Sequence, residues 1–182
     1  PFAGEIKAVS VLQLLYETVG VDQISRRVTR PLTDLVLAPY YGCLLSRPAR
    51  FARFDDPENP VSMDELLGNT GATVVDFPYK TECCGATYGF TRNEIVGRLT
   101  GRILDMATSL GAQAIVVACP LCQQNLDLRQ SQVDRYWERR FDMPVLYITQ
   151  VLGSALGIQP EQLGLDKLFV KPDFIKILLN HS

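Results

Sequence analysis

Ala114-Ile115-Val116-Val117-Ala118-Cys119-Pro120-Leu121-Cys122 decides the reading of this chain, because an unbroken apolar run passes directly into a Cys-x-x-Cys. A short apolar run of this kind suits a strand buried on both faces. Pro120 suits a first helical turn, where a missing N–H leaves no bond unmade. A helix starting there directs its free N–H groups and the positive end of its dipole at the two cysteines, which favours thiolates. The stretch reads as strand, thiols, helix.

Working outward, the same pattern recurs. Leu35–Ala38 is a short apolar run just before Cys43, Ala72–Asp76 precedes the adjacent pair Cys83 and Cys84, and Val145–Ile148 supplies a fourth strand. Helices are predicted between them. Ser62 with Glu65 forms a capping box closed by Gly68 or Gly71. Thr91 with Glu94 forms another, followed by the stripe Ile95, Leu99, Ile103, Met106 and Leu110, which Gly111 ends. A polar helix runs from about Leu121 to Gln132, one passes through Val151 to Leu156, and a last one follows Pro172. Before the first strand, Glu5–Glu17 and Asp22–Arg30 read as amphipathic helices separated by Gly20. Arg47–Pro60, with three prolines and no period, reads as a long exposed loop.

Short strands alternating with helices imply an α/β fold: a mainly parallel four-stranded sheet flanked by helices. The 182 residues are expected to form a single cysteine-rich domain, with a helical lead-in over 1–33, an α/β core over 34–158 and a helical tail over 159–182. Cys43, the Cys83–Cys84 pair and Cys119 each follow the carboxyl end of a predicted strand, the edge where open α/β sheets bind ligands. All five thiols are therefore expected to converge on one crevice.

Composition narrows the function. A formal charge of −2 argues against nucleic-acid or membrane surfaces recognised by bulk positive potential. No apolar run approaches the roughly 20 residues that span a bilayer, and the start at Pro1 shows no basic and apolar leader, so a cytoplasmic protein is expected. A start at Pro1 rather than Met also suggests a trimmed piece. In a reducing compartment, clustered cysteines point to metal or redox chemistry rather than to structural disulfides, and an odd count cannot pair off.

The five cysteines form one pattern: 39 residues separate Cys43 from Cys83, and 34 separate Cys84 from Cys119. A Cys-x-x-Cys alone is equally a dithiol of the thioredoxin kind. The adjacent pair shifts the balance, because neighbouring side chains in extended backbone point to opposite faces and are awkward ligands for one small ion. A multi-iron centre meets both, and Gly85 lets the backbone bend just after them. Zinc held by four of the five thiols is the structural alternative. The lone histidine, His181, lies near the terminus and reads as a tail residue.

The segments Ala38-Pro39-Tyr40-Tyr41-Gly42-Cys43-Leu44-Leu45, Phe54-Asp55-Asp56-Pro57-Glu58-Asn59-Pro60, Cys83-Cys84-Gly85 and Cys119-Pro120-Leu121-Cys122-Gln123, with Asn125-Leu126, resemble the CCG domain of the heterodisulfide reductase B subunit. The likeness runs from about Lys7 to Leu165 and is best to the second CCG motif of that protein. It implies a non-cubane [4Fe-4S] cluster held by Cys43, Cys83, Cys84, Cys119 and Cys122, with electron transfer to a disulfide and its reductive cleavage between two facing clusters. The partners it implies are a ferredoxin-like subunit, a flavin-containing subunit, a second CCG domain and the disulfide substrate. This chain departs from the pattern in carrying one CCG motif where the family's subunit has two, and in having Ser10 where a histidine is expected. Related CCG domains also serve as electron-transfer modules in complexes that oxidise organic acids.

Arg47, Arg50, Arg53 and Lys80 lie in loops expected to flank the same edge and are candidates for an anionic substrate. Tyr40, Tyr41 and Tyr88 are candidates for shielding the centre from water.

Overall fold

The computed structural model describes Gly4, Ile6 and residues 8–171. At its centre is β3 (Ala114–Val117), buried along its whole length, with β1 (Val36–Tyr40) on one side and β4 (Val145–Tyr147) on the other. The edge strand β2 (Thr73–Val74) gives the order β2-β1-β3-β4, all parallel. Pro39 is tolerated in an inner strand because Leu37 accepts from Val75 N, so alternate residues of β1 turn their backbone toward β2, which has ended before Pro39 is reached.

Alternation along the strands divides the core. Leu37, Ala114, Val116 and Leu146 face α1 (Val11–Gln13), which continues as a π-helical turn over Leu14–Val19, with α2 (Val21–Ser25), α4 (Ser62–Gly68) and α8 (Ile148–Ala155). Ala38, Tyr40, Ile115, Val117 and Val145 face α5 (Asn93–Ser109), α6 (Pro120–Leu128) and α7 (Gln130–Trp137). A short helix α3 (Ala49–Ala52) lies in the loop after β1.

Several local expectations shift. The first helix begins at Val11 rather than Glu5: residues 8–10 are not helical, and the Ser10 hydroxyl accepts from Gln13 N as its cap. The second is shorter, ending at Ser25 instead of Arg30. Ser62 does not cap α4. The free N–H groups of Val61 and Ser62 donate to the Asp55 carboxylate, and that of Met63 donates to the Tyr41 hydroxyl, so the cap comes from distant residues. Nor does Thr91 cap α5, which starts at Asn93 with no side-chain cap.

The buried face of α5 is Val96, Thr100, Ile103, Leu104 and Ala107, rotated from the predicted stripe. The cause is α7. Trp137 donates its indole N–H to Gly97 O at 2.9 Å and lies so close that a Cβ on Gly101 would stand 1.9 Å from its Nε1. Glycines, invisible to a hydrophobic count, thus form the contact face. The polar helix is two helices, α6 and α7, and the next helix starts earlier than expected, at Ile148.

Arg47–Pro60, expected as an exposed loop, is tied down. Arg47 donates to Pro57 O, Thr81 Oγ1 and Glu58, Asp56 accepts from Glu58 N and Asn59 N, and Phe54 is buried. The expected helix after Pro172 lies outside the described residues. No helix among the described residues is long and apolar enough to cross a membrane.

Candidate metal centre

The strand order creates the site. From β1 the chain moves outward to β2, and from there it crosses to the other side of β1 for β3, so the carboxyl ends of β1 and β3 border the crevice at which such sheets bind ligands. Cys43 follows β1, Cys119 follows β3 and the Cys83–Cys84 pair follows β2. Two backbone bonds draw the loop bearing Cys43 to the segment before the cysteine pair: Tyr41 N and Gly42 N both donate to Lys80 O, at 2.8 and 3.0 Å.

The five thiols meet as linked pairs. Cys84 and Cys122 have their sulfurs 3.9 Å apart, Cys119 is close enough to Cys122 to influence its ionisation, and Cys43 and Cys83 stand in the same relation to each other. Adjacent Cys83 and Cys84 diverge as extended neighbours should, one toward Cys43 and the other toward Cys122, so the pair joins the two sides. Gly85 turns through φ +82°, and its N–H points at Cys83 Sγ at 3.4 Å. Gly42 has φ +74°, and a Cβ there would stand 2.8 Å from Cys122 Sγ. Only glycine lets the β1 loop pass that close to the thiol.

Hydrogen bonding sorts the thiols. The Cys122 pKa is driven up by its neighbours Cys119 and Cys84 and by burial. Its contact with Cys122 holds Cys84 at about 7 against the upward push of burial. Cys119 falls to about 6, again chiefly through Cys122, helped by the N–H groups of Cys122 and Leu121 at the start of α6. Cys43 is pushed up to about 11 by burial and by its neighbour Cys83.

Five thiols with no carboxylate or imidazole in the linked set form a soft donor group suited to iron and sulfide or to zinc. Among the described residues no three His, Cys, Asp or Glu side chains already stand together as ligands of one metal ion. The donor set spread around a crevice, with a glycine where any side chain would intrude, fits an iron–sulfur centre.

Tyr40 is fully buried beside this group: Cys84, Cys122, Cys43 and Cys83 all act on its hydroxyl, which donates to Glu82 O at 2.6 Å. Tyr41 faces the opposite core, where it donates to Asp64, and Tyr88 is exposed. Of the basic candidates, Lys80 is buried, donating to Asp64 Oδ1 at 2.8 Å and Pro60 O at 3.1 Å. Arg47 is occupied by Glu58, Pro57 and Thr81 but also borders a cavity of about 300 Å³ that includes Ser10, Gln13, Leu44, Leu45 and Phe51. Arg50 and Arg53 are exposed. His181 lies outside the described residues.

Three residues beside the thiols were not among the site residues expected from sequence. Tyr147 lies against Cys119 and Cys122 and donates to Ala118 O; its place at the end of β4 was the available signal. Asn125, one turn beyond Cys122 on α6, donates to Cys84 O at 2.9 Å. Thr100 on α5 donates to the same oxygen at 2.8 Å, and nothing local in the sequence marks it.

Comparison with known proteins bears on this site. Residues 37–127, which contain all five cysteines, match the family of cysteine-rich domains named CCG. The chain is 36% identical over 169 residues to the B subunit of the ferredoxin:CoB-CoM heterodisulfide reductase of Methanosarcina mazei, covering 91% of this chain and 56% of that protein. It is 32% identical over 165 residues to the 8-methylmenaquinol:fumarate reductase membrane anchor subunit of Wolinella succinogenes, covering 91% of this chain and 57% of that protein. The chain thus spans little more than half the length of these curated relatives, both named as subunits of reductases. A crystal structure of a hypothetical protein from Helicobacter pylori superimposes with a TM-score of 0.62 at 14% identity, over 85% of this chain and 28% of that one, which supports the α/β fold. With the match centred on the segment that carries the five thiols, the chain belongs to the cysteine-rich CCG domain family.

Proposed function

We propose that this chain is an iron–sulfur domain from the B subunit of a heterodisulfide reductase-like complex, in which Cys43, Cys83, Cys84, Cys119 and Cys122 hold a non-cubane [4Fe-4S] cluster. The observation that carries the proposal is that the segments bearing the five cysteines all follow strands at one sheet edge, with the Cys84 and Cys122 sulfurs 3.9 Å apart. Similarity to a protein named as the B subunit of a CoB-CoM heterodisulfide reductase supports the choice of reaction. Such a cluster would supply single electrons and an iron site open to sulfur. Cleavage of a disulfide takes two electrons and two protons and yields two thiols, so a ferredoxin-like or flavin-containing partner subunit must supply the electrons and a second CCG domain would share the substrate.

The chain's own residues prepare the site. Tyr40 and Tyr147 wall off the thiols and so limit water, which influences the potential of any centre there. The cavity next to Leu44 offers apolar walls to the organic part of a sulfur substrate, with Arg47 at its rim. Arg50 and Arg53 are exposed and would meet an anionic group, while the Lys80 charge is consumed by Asp64.

The test is anaerobic reconstitution with iron and sulfide, then chemical analysis and paramagnetic resonance with and without an organic disulfide. The expected result is about four irons and four sulfides per chain and a signal that changes on adding the disulfide. A single tightly bound zinc without sulfide would end the proposal.

A second reading, electron transfer without disulfide cleavage, is favoured by the similarity to a fumarate reductase subunit. A reconstituted complex that passes electrons but leaves bound disulfide intact would select it.

A further inference from the structure

The carbonyl oxygen of Cys84 is gripped from two helices. Thr100 Oγ1 on α5 donates to it at 2.8 Å, Asn125 Nδ2 on α6 donates to it at 2.9 Å, and the same Asn125 amide donates to Thr100 Oγ1 at 2.9 Å. Both side chains are buried, Thr100 fully and Asn125 to within 3%. The arrangement leaves Asn125 Oδ1 buried with no hydrogen-bond partner among the described residues. Turning the amide over would not help, because Oδ1 would then face the Cys84 carbonyl, which has no proton to give. A buried, unpaired acceptor opposes folding, so the amide's contribution must lie in what its NH2 group holds.

What it holds is the hinge of the thiol pair. Gly85 follows with φ +82° and imposes no side-chain restraint of its own, so the direction of the Cys83–Cys84 segment depends on bonds from outside it. Resting on the iron–sulfur reading above, we propose that Thr100 and Asn125 are positioning residues. By clamping the Cys84 peptide, they keep Cys83 directed toward Cys43 and Cys84 toward Cys122, and so govern how firmly and in what geometry an iron–sulfur centre is held. Neither residue needs to touch the centre. Outer-layer partners of metal ligands of this kind change metal affinity about 10- to 100-fold when removed.

The test compares the 182-residue chain with Thr100→Val, Thr100→Ser and Asn125→Leu, each reconstituted anaerobically. Thr100→Val keeps the shape without the hydroxyl, and Asn125→Leu removes the clamp together with its orphaned oxygen. The expected result is that iron and sulfide are lost to a chelator about ten-fold faster or more in both, with altered paramagnetic resonance, while Thr100→Ser behaves as wild type. Thermal melting of the cluster-free chains should be lowered by Thr100→Val, which strands an Asn125 N–H, and unchanged or raised by Asn125→Leu, so iron loss in both variants without a matching loss of stability in the second is a pattern that a merely structural role does not give. Wild-type retention and spectrum in both variants would overturn the clamp while leaving the cluster reading intact. A wild-type chain that takes up neither iron nor sulfide would overturn both. Should Asn125→Leu fail to fold, Thr100→Val against Thr100→Ser decides.

Discussion

The two sides of the crevice are built by different physics. On the α5–α6 side, Cys84 and Cys122 are buried, packed against Leu126 and Val117, and fixed by helices whose register is set by close contact with α7. On the β1 side, Cys43 and Cys83 are half exposed and sit on loops with no regular structure of their own. Those loops owe their shape to polar bonds: Lys80 to Asp64 and Pro60, Arg47 to Pro57 and Thr81, and Tyr41 N and Gly42 N to Lys80 O. The difference teaches that a thiol set can be half rigid and half adjustable. The loop side also borders the cavity beside Leu44.

Serine exchange breaks the comparison most sharply. Cys84→Ser should abolish iron and sulfide binding, because it removes a buried thiol packed 3.9 Å from the Cys122 sulfur, whereas Cys43→Ser should leave a remodelled centre with a changed paramagnetic signal. Iron and sulfide analysis together with resonance spectra checks both.

Lys80→Met tests the polar side through stability. The Lys80 and Asp64 side chains are 8% and 22% exposed, so removing the amine strands a mostly buried carboxylate. The expected loss is about 2–4 kcal/mol in urea unfolding, below the full cost for a completely buried pair because Asp64 keeps some access to water.

Gly42→Ala probes the seam between the two sides. The added Cβ meets Cys122 Sγ and demands a left-handed backbone from a residue with a side chain. A loss of about 1–3 kcal/mol is expected in thermal or urea unfolding of the cluster-free chain, together with weakened iron retention.

Alkylation sharpens the comparison at the level of single sulfurs. Cys119, held at about 6, is a thiolate at pH 7, while Cys43, at about 11, is a thiol. Both are half exposed, so in the cluster-free chain iodoacetamide should label Cys119 at least ~10-fold faster, the gap being moderated by the lower nucleophilicity of the more acidic thiolate. Raising the pH toward 11 deprotonates Cys43 and should narrow the ratio, which peptide mass spectrometry follows.

The helix-bound side was the more legible in sequence, and the reason is locality. Val116-Val117-Ala118-Cys119-Pro120 contains a strand, a thiol and a helix start within one short stretch, so its geometry follows from neighbours in the chain. The loop side was read less well because its determinants are remote. Asp64 lies 16 residues from Lys80, and Tyr41 caps a helix 22 residues further on. Lys80, expected among the loops facing a substrate, is turned inward by a carboxylate that no local pattern connects with it.

The sequence by itself determined that strands alternate with helices, that the sheet is parallel and that every cysteine follows a strand or starts a helix, because period and turn chemistry act over a few residues. Only the tertiary structure decided the order β2-β1-β3-β4, which brings the thiol-bearing strand ends to one crevice. It alone decided the clamp of Thr100 and Asn125 on Cys84, the inward turn of Lys80 and the passage of Gly42 beside Cys122. These are contacts between residues far apart in the chain, and they are chosen by how the two layers of helices pack across the sheet rather than by any preference a residue carries alone.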